Sequence, residues 1–186
     1  MEALFITIAT VIVLILLGIA FFGGFQKITF TREVRGGETL VYKEHIGDYK
    51  YTGTLIDNIY HSLEHEFNVI TYKGCGIYYD NPKQVDKHKL RAEVGCILEP
   101  KDHEKIPQIK ELFKVKELPK LQNVTTSFPY RGKFSVFMGV LRVYPALTNY
   151  LKRNNLPAEG AVIEIYDVPN KRILYRKEVV QNTQKI

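Results

Sequence analysis

Two cysteines in 186 residues, Cys75 and Cys96, are too few for a disulfide framework. Their scarcity excludes the stapled secreted scaffolds and suits a reducing compartment. Also absent is any block of basic residues or RNA-stacking motif, although the net charge is +6. Lysines and arginines are scattered among 20 acids, so the charge reads as solubility and topology, and no nucleic-acid partner is expected. A third absence is local. From Ala3 to Phe22 twenty residues carry no charge, with Thr7 and Thr10 the only hydroxyls.

As a helix that run would be about 30 Å long, the thickness of a bilayer's hydrocarbon core. A cleaved signal peptide would have a shorter apolar stretch, a basic start and a small-x-small exit. Here the start is acidic (Glu2) and "GIAFFGGFQK" offers no convincing cleavage site, which favours a retained single-pass signal-anchor. The lipid bilayer is thus the expected partner of residues 3–22. Before the span the only charged side chain is Glu2, and after it come Lys27, Arg32 and Arg35. Basic residues prefer the cytoplasmic side, so the folded domain should be cytosolic. Those basic residues could touch anionic lipid at about 1 kcal/mol each, but solubility and topology are the simpler reading. Asn123-Val124-Thr125 is a formal glycosylation acceptor that would matter only in the opposite orientation.

Beyond the span the same pattern is written twice. "TLVYKEHIG" alternates like a strand, "TGTLIDNIYHSLEHEF" repeats apolar residues at helical spacing, and "VITYKGCGIYYD" and "LRAEVGCIL" read as two more strands. The second half gives "NVTTSFPYRG", then "FSVFMGVLRVYPALTNYLKRNN", then the hairpin arms "AVIEIYD" and "RILYRKEVV". In the second helix Phe137, Val140, Leu141, Tyr144, Leu147 and Leu151 share one face, and Pro145 predicts a kink or restart. Gly47 matches Gly132, Tyr60 matches Tyr144, Leu63 matches Leu147, and Tyr79-Asp80 matches Tyr166-Asp167. The fold class is therefore α+β, with duplicated β-α-β-β modules related by a pseudo-two-fold and one transmembrane helix in front. The boundaries are 1–25 for the anchor, 26–38 for a juxtamembrane linker, 39–181 for the domain and 182–186 for a short tail. Within the domain the modules are 39–99 and 121–181, joined by a charged linker at 100–120. Two small sheets packed in this way leave a cleft, the usual place for a small ligand.

Alternate strand residues share a face, so Glu164 and Tyr166 point one way and Ile77 and Tyr79 point the matching way in the other copy. A carboxylate then stands in one module where the other has Ile77. The candidate ligand-binding set is Glu164, Tyr79 and Tyr166, with no catalytic residue and no metal assigned. The plain alternative for Glu164 is an ion pair with Arg91 or Arg172. "HSLEH" at His61–His65 matches a zinc-protease pattern, but both histidines fall opposite the helix's apolar face, which reads as a solvated surface. Cys75 and Cys96 lie on the two arms of one hairpin, and a one-residue change of register decides whether they share a face.

The double β-α-β-β order, "YKEHIGDY" and "EIYD" resemble the gyrase-inhibitor-like (GyrI-like) effector-binding fold, which is also SOUL-like. In that family a Glu on the matching strand sits in the cleft and meets ligands, and the match carries it to Glu164. Some bacterial members resemble hydrolases that use a Tyr and a Glu there. Related double-module proteins bind haem, but no histidine here holds a convincing pocket position, and no cofactor is expected. Over almost the whole chain, "IYYDNP", "AEVGCIL", "TTSFPY", "RVYPALTNYLK" and "EIYD" look like the testis-expressed ER-phagy receptor family. That resemblance implies an ER-membrane anchor, a cytosolic GyrI-like domain and a disordered tail whose aromatic-x-x-aliphatic motif binds autophagy proteins. With Ile186 just after the last hairpin, no counterpart of that tail is expected. The matches Tyr60–Leu63 and Phe67–Ile70 belong to predicted core elements. The expected function is a non-catalytic binding domain held at the ER surface, with autophagy proteins as partners by resemblance only. A small-molecule sensor or hydrolase is the alternative.

Overall fold

The computed structural model describes residues 1–179. The expected tail at 182–186 and the last two residues of the expected domain lie outside them. Helix α1 (Glu2–Phe21) is apolar on all sides and buries none of its residues against the rest of the chain. By length and composition it can cross a membrane.

Strands β1 (Thr31–Arg35), β2 (Thr39–Ile46), β3 (Lys73–Tyr78), β4 (Arg91–Leu98), β5 (Lys114–Glu117), β6 (Leu121–Pro129), β7 (Val162–Asp167) and β8 (Arg172–Glu178) form one sheet. Its order is β1-β6-β8-β7-β3-β4-β2-β5, and every pairing is antiparallel. Read outward from the central β7–β3 pair, each half gives the two hairpin arms, the first strand of its module and one edge strand. The two halves are thus related by a two-fold through the middle of the sheet. The edge strands are not legible as such in the sequence. β1 falls in the expected juxtamembrane linker and β5 in the expected inter-module linker.

Two short connectors join the halves. Residues 36–38 link edge strand β1 to β2, and residues 118–120 link edge strand β5 to β6. Each must reach the far side of an eight-stranded sheet, yet three residues span no more than about 14 Å. The sheet therefore curls until its margins approach. The connectors meet there: the Gly37 amide donates to the Leu118 carbonyl at 2.6 Å, and the Leu118 amide to the Glu38 carbonyl at 2.8 Å. A Cβ on Gly36, whose φ is +133°, would lie 2.0 Å from the Pro119 carbonyl oxygen, so the crossing requires glycine. Leu118 then fills the sheet's inner face among Leu40, Cys75, Ile77, Ile97 and Ile165, and all six side chains are buried.

The outer face carries the long helices. α2 (Thr52–Phe67) packs Ile59 and Leu63 on Val41, Cys96 and Leu98, with the short α3 (Ile106–Ile109) beside it. α4 (Lys133–Arg153) packs on Val124, Phe128, Ile173 and Tyr175. Gly47 and Gly132, matched in sequence, both have positive φ at the turn from strand to helix. α4 departs from expectation in two ways. It runs through Pro145 as one helix. Its buried side is Ser135, Gly139, Val143, Leu147 and Leu151, whereas Phe137, Val140 and Leu141 are 54%, 44% and 52% exposed. The cause is close approach: a Cβ on Gly139 would sit 2.2 Å from the Tyr175 hydroxyl, so small residues face the sheet and the bulky ones turn outward.

If Leu118 plugs the curled sheet, Leu118→Ala should cost about 2–5 kcal/mol in urea unfolding. Truncating the exposed Leu112 should cost no more than about 0.5 kcal/mol. Equal effects at the two positions would remove the plug.

Candidate functional site

The register of the central strands fixes what stands together. Glu164 on β7 pairs with Gly76 on β3 and with Tyr175 on β8, while Tyr166 pairs with Gly74, so all five share the helix-bearing face. Tyr78, two positions from Gly76, is on the same face. A Cβ on Gly76 would lie 2.7 Å from the Tyr78 ring, so glycine there lets that ring lie against the sheet beside the carboxylate. From above, α4 sends Tyr144 down.

Glu164 is 3% exposed. Its Oε1 accepts from the Tyr144 hydroxyl at 2.6 Å and its Oε2 from the Tyr166 hydroxyl at 2.7 Å. The chain of hydroxyls continues: Tyr166 lies 3.3 Å from Tyr78, and Tyr78 lies 3.3 Å from Thr52 Oγ1. Thr52 donates to the Tyr49 carbonyl at the start of α2, so the network ties the two modules together. Around it the rings pack edge-on, Tyr144 against Tyr175 and Tyr49 against Tyr78. The Tyr175 hydroxyl is buried in this shell without a hydrogen-bond partner among the described residues. An orphaned buried donor costs about 1–3 kcal/mol, and a ligand that accepted from it would relieve that cost.

Among the described residues, no basic side chain pairs with Glu164. Burial pushes its carboxyl above the ordinary range, opposed by the bonds from Tyr144 and Tyr166. Burial also raises the Tyr144 and Tyr166 phenols well above their usual value, and the Glu164 charge raises them further. The result is a buried acceptor ringed by tyrosine hydroxyls, with no counter-ion among the described residues. A compact organic cation fits that combination, because its charge pairs with the carboxylate and its surface with the rings. General-base chemistry would need a water within reach of the carboxylate, and tyrosine hydroxyls occupy both of its oxygens.

Tyr79, expected beside Glu164, is elsewhere. It points from the opposite face of the sheet, 40% exposed, and donates to Glu93 Oε2 at 2.7 Å. Its neighbour Tyr78 takes the place it was given. Aligning the two copies on their Tyr-Asp pairs misplaces the first by one residue, and one residue reverses the face. The repeated aspartates have their own task. Asp80 is gripped by the Arg91 guanidinium at 2.8 Å, and Asp167 by Arg172 at 3.0 Å, so each closes its own hairpin. Those contacts also consume the arginines that would have neutralised Glu164.

The remaining candidates fall away from this cluster. His61, Glu64 and His65 bring their ligand atoms within 4.8 Å of one another, on the outer face of α2. Cys96 pairs with Gly74 and Cys75 with Gly95, which puts the thiols on opposite faces of the sheet. Both are buried, and burial lifts the Cys96 thiol to about 11. Leu63, of the Tyr60–Leu63 match, is buried in the α2 core and Phe67 is half-buried against Phe113, whereas Ile70, expected in a strand of the core, is 45% exposed and precedes β3. Asn123 is 4% exposed and donates to the carbonyls of Leu121 and Arg35, so in the folded chain it is closed to glycosylation.

The raised Glu164 carboxyl has a testable sign. The folded state holds its proton more tightly than the unfolded chain does, so this group's stabilising contribution is full in acid and is lost as pH rises through the raised folded value. Relative to Glu164→Gln, the parent should therefore lose thermal stability as pH climbs from the ordinary carboxyl range towards neutrality. A difference that runs the other way would mean that the carboxylate is better solvated inside the fold than outside it.

The sequence profile of the GyrI-like small molecule binding domain matches residues 37–175. Human testis-expressed protein 264 is 33% identical over 165 residues, which is 82% of this chain and 50% of that protein, so the chain spans about half its length. Among solved structures, the EcmrR C-terminal domain superposes with a TM-score of 0.57 at 11% identity, covering 83% of this chain and 98% of that one. A hydrolase from Listeria innocua gives 0.51 at 13% identity, covering 82% and 92%. At such identities these two structures show the fold alone. With a matching profile over most of its length and the curled eight-stranded sheet to go with it, the chain belongs to the GyrI-like family of small-molecule-binding domains.

Proposed function

We propose that this chain is a non-catalytic GyrI-like receptor domain that binds a compact aromatic cation on Glu164, beneath α4. One observation carries the reading: a fully buried carboxylate whose only partners among the described residues are tyrosine hydroxyls. Burying such a group is expensive, and nothing in the packing requires a carboxylate there, since the equivalent place in the first module is Gly76. Binding displaces the inward end of Tyr144, exchanges its hydroxyl for the ligand's charge and leaves the other rings as walls. Titration of the full chain in detergent with proflavine, a compact three-ring aromatic cation, followed by fluorescence polarisation, tests this. Glu164→Gln should weaken binding at least about tenfold, or 1.4 kcal/mol, and a neutral dye of similar size should bind both proteins equally. Undiminished binding of the cation to the variant would refute the site.

The same proposal places the domain at the cytosolic face of the ER membrane, held by α1. Its support is the apolar helix, the basic residues that follow it and the similarity to testis-expressed protein 264. A task as an adaptor in ER turnover is proposed from that similarity and from the sequence resemblance. Since Asn123 is closed, topology needs an engineered acceptor. Lys87→Asn with Lys89→Thr creates one in the exposed loop between β3 and β4. In cells it should stay unglycosylated, and acquisition of glycan would place the domain in the lumen.

A further inference from the structure

The outward-facing apolar residues of α4 are not covered by the sheet. Phe134, Phe137, Val140 and Leu141 recur at helical spacing on its first two turns and a half, all exposed. Farther along, the same outer face turns polar, with Thr148, Asn149 and Lys152. The apolar part is the part beside the end of α1. The Phe134 ring sits 5.0 Å from that of Phe22 and 5.9 Å from that of Phe137. Phe25, 63% exposed, lies in the same junction.

That junction is held firmly. The Arg142 guanidinium on α4 donates to the Gly24 and Gln26 carbonyls, and Arg131 donates to the Phe21 carbonyl while lying 4.4 Å from that residue's ring. A Cβ on Gly24 would lie 3.0 Å from the Met138 side chain, so the chain leaving α1 presses directly on α4. Where α1 ends, the first half of α4 is at hand.

Charge points the same way. Residues 21–30 and 128–145, which include every contact of this junction, contain no aspartate or glutamate. They contain four basic residues: Lys27, Arg131, Lys133 and Arg142. An apolar stripe bordered by lysine and arginine is the composition of a helix that lies in a membrane interface. Two copies meeting through this face would set like charges against each other, whereas an anionic lipid surface complements them.

We propose that the outer face of the first half of α4, with Phe25 and its basic border, lies in the headgroup layer of an anionic bilayer. This rests on the reading of α1 as a membrane-spanning helix and adds to it: the domain lies against the membrane instead of hanging from a tether. One helix then touches lipid with its outer side and covers Glu164 with its inner side, through Tyr144.

The test uses the full chain reconstituted in vesicles of phosphatidylcholine and phosphatidylserine. The native thiols are buried, so an added cysteine takes a nitrobenzoxadiazole label. Three single variants are compared: Phe137→Cys on the stripe, Asn149→Cys three turns along the same helix, and Leu14→Cys within α1. Lipids brominated near the headgroup should quench the label at 137 and shift its emission to the blue, and should leave the label at 149 unchanged. Lipids brominated deep in the chains should quench the label at 14. Quenching at 14 without quenching at 137 overturns the docking proposal alone. A blue shift at 137 without lipid quenching also overturns it, because the stripe then meets protein. A label at 14 that deep bromines do not reach overturns the spanning helix and the docking proposal with it.

Discussion

A carboxylate buried without a cationic partner among the described residues governs this molecule. Removing an ionisable group from water raises its energy unless other charges or hydrogen bonds replace the lost solvation. Around Glu164 the replacement is two phenol hydroxyls, and each depends on a different part of the fold. Tyr166 is held by the central strand that also carries Glu164. Tyr144 is held only by the packing of α4 against the sheet. The glycines that let α4 come close and let Tyr78 lie flat are therefore part of the site, although none touches the carboxylate.

The two-fold explains why the group sits where it does. Duplicating a β-α-β-β unit places β3 and β7 side by side at the centre of the sheet, under the space between the two helices. Any residue on the outer face there sees both modules. In a symmetric pair such a position would be filled alike from each side. Here one copy supplies Gly76, which makes room, and the other supplies Glu164, which fills it. On the other face, symmetry acts through the crossing connectors and Leu118, which draw the sheet's margins together.

Much of this is legible in the sequence, and the parts that are not share a physical cause. The order of elements and the extent of α2 follow from apolar spacing, because that helix buries large residues on one side. Glu164 and Tyr166 are legible because a charge in a strand of buried type stands out. The edge strands "TREVR" and "KVKE" stay hidden, since an edge with a wet face needs no apolar alternation. Tyr79 stands in for Tyr78 because two adjacent tyrosines offer both phases of a strand, and the aspartate that aligns the copies does another job. The face of α4 misleads for the opposite reason. Its buried side is small residues in close contact, and its largest apolar residues are outside, so hydrophobicity alone points the wrong way. That mismatch between size and burial is what singles out the outer stripe as the surface proposed to meet lipid.

The most direct test of the central claim is a carbon-13 titration of the glutamate carboxyls, with Glu164→Gln to assign the buried one. In the free protein the Glu164 resonance should titrate above the exposed glutamates, and addition of a bound cation should drive it to the ionised position at constant pH. A Glu164 carboxyl that titrates together with the surface glutamates and does not respond to the cation would contradict the account.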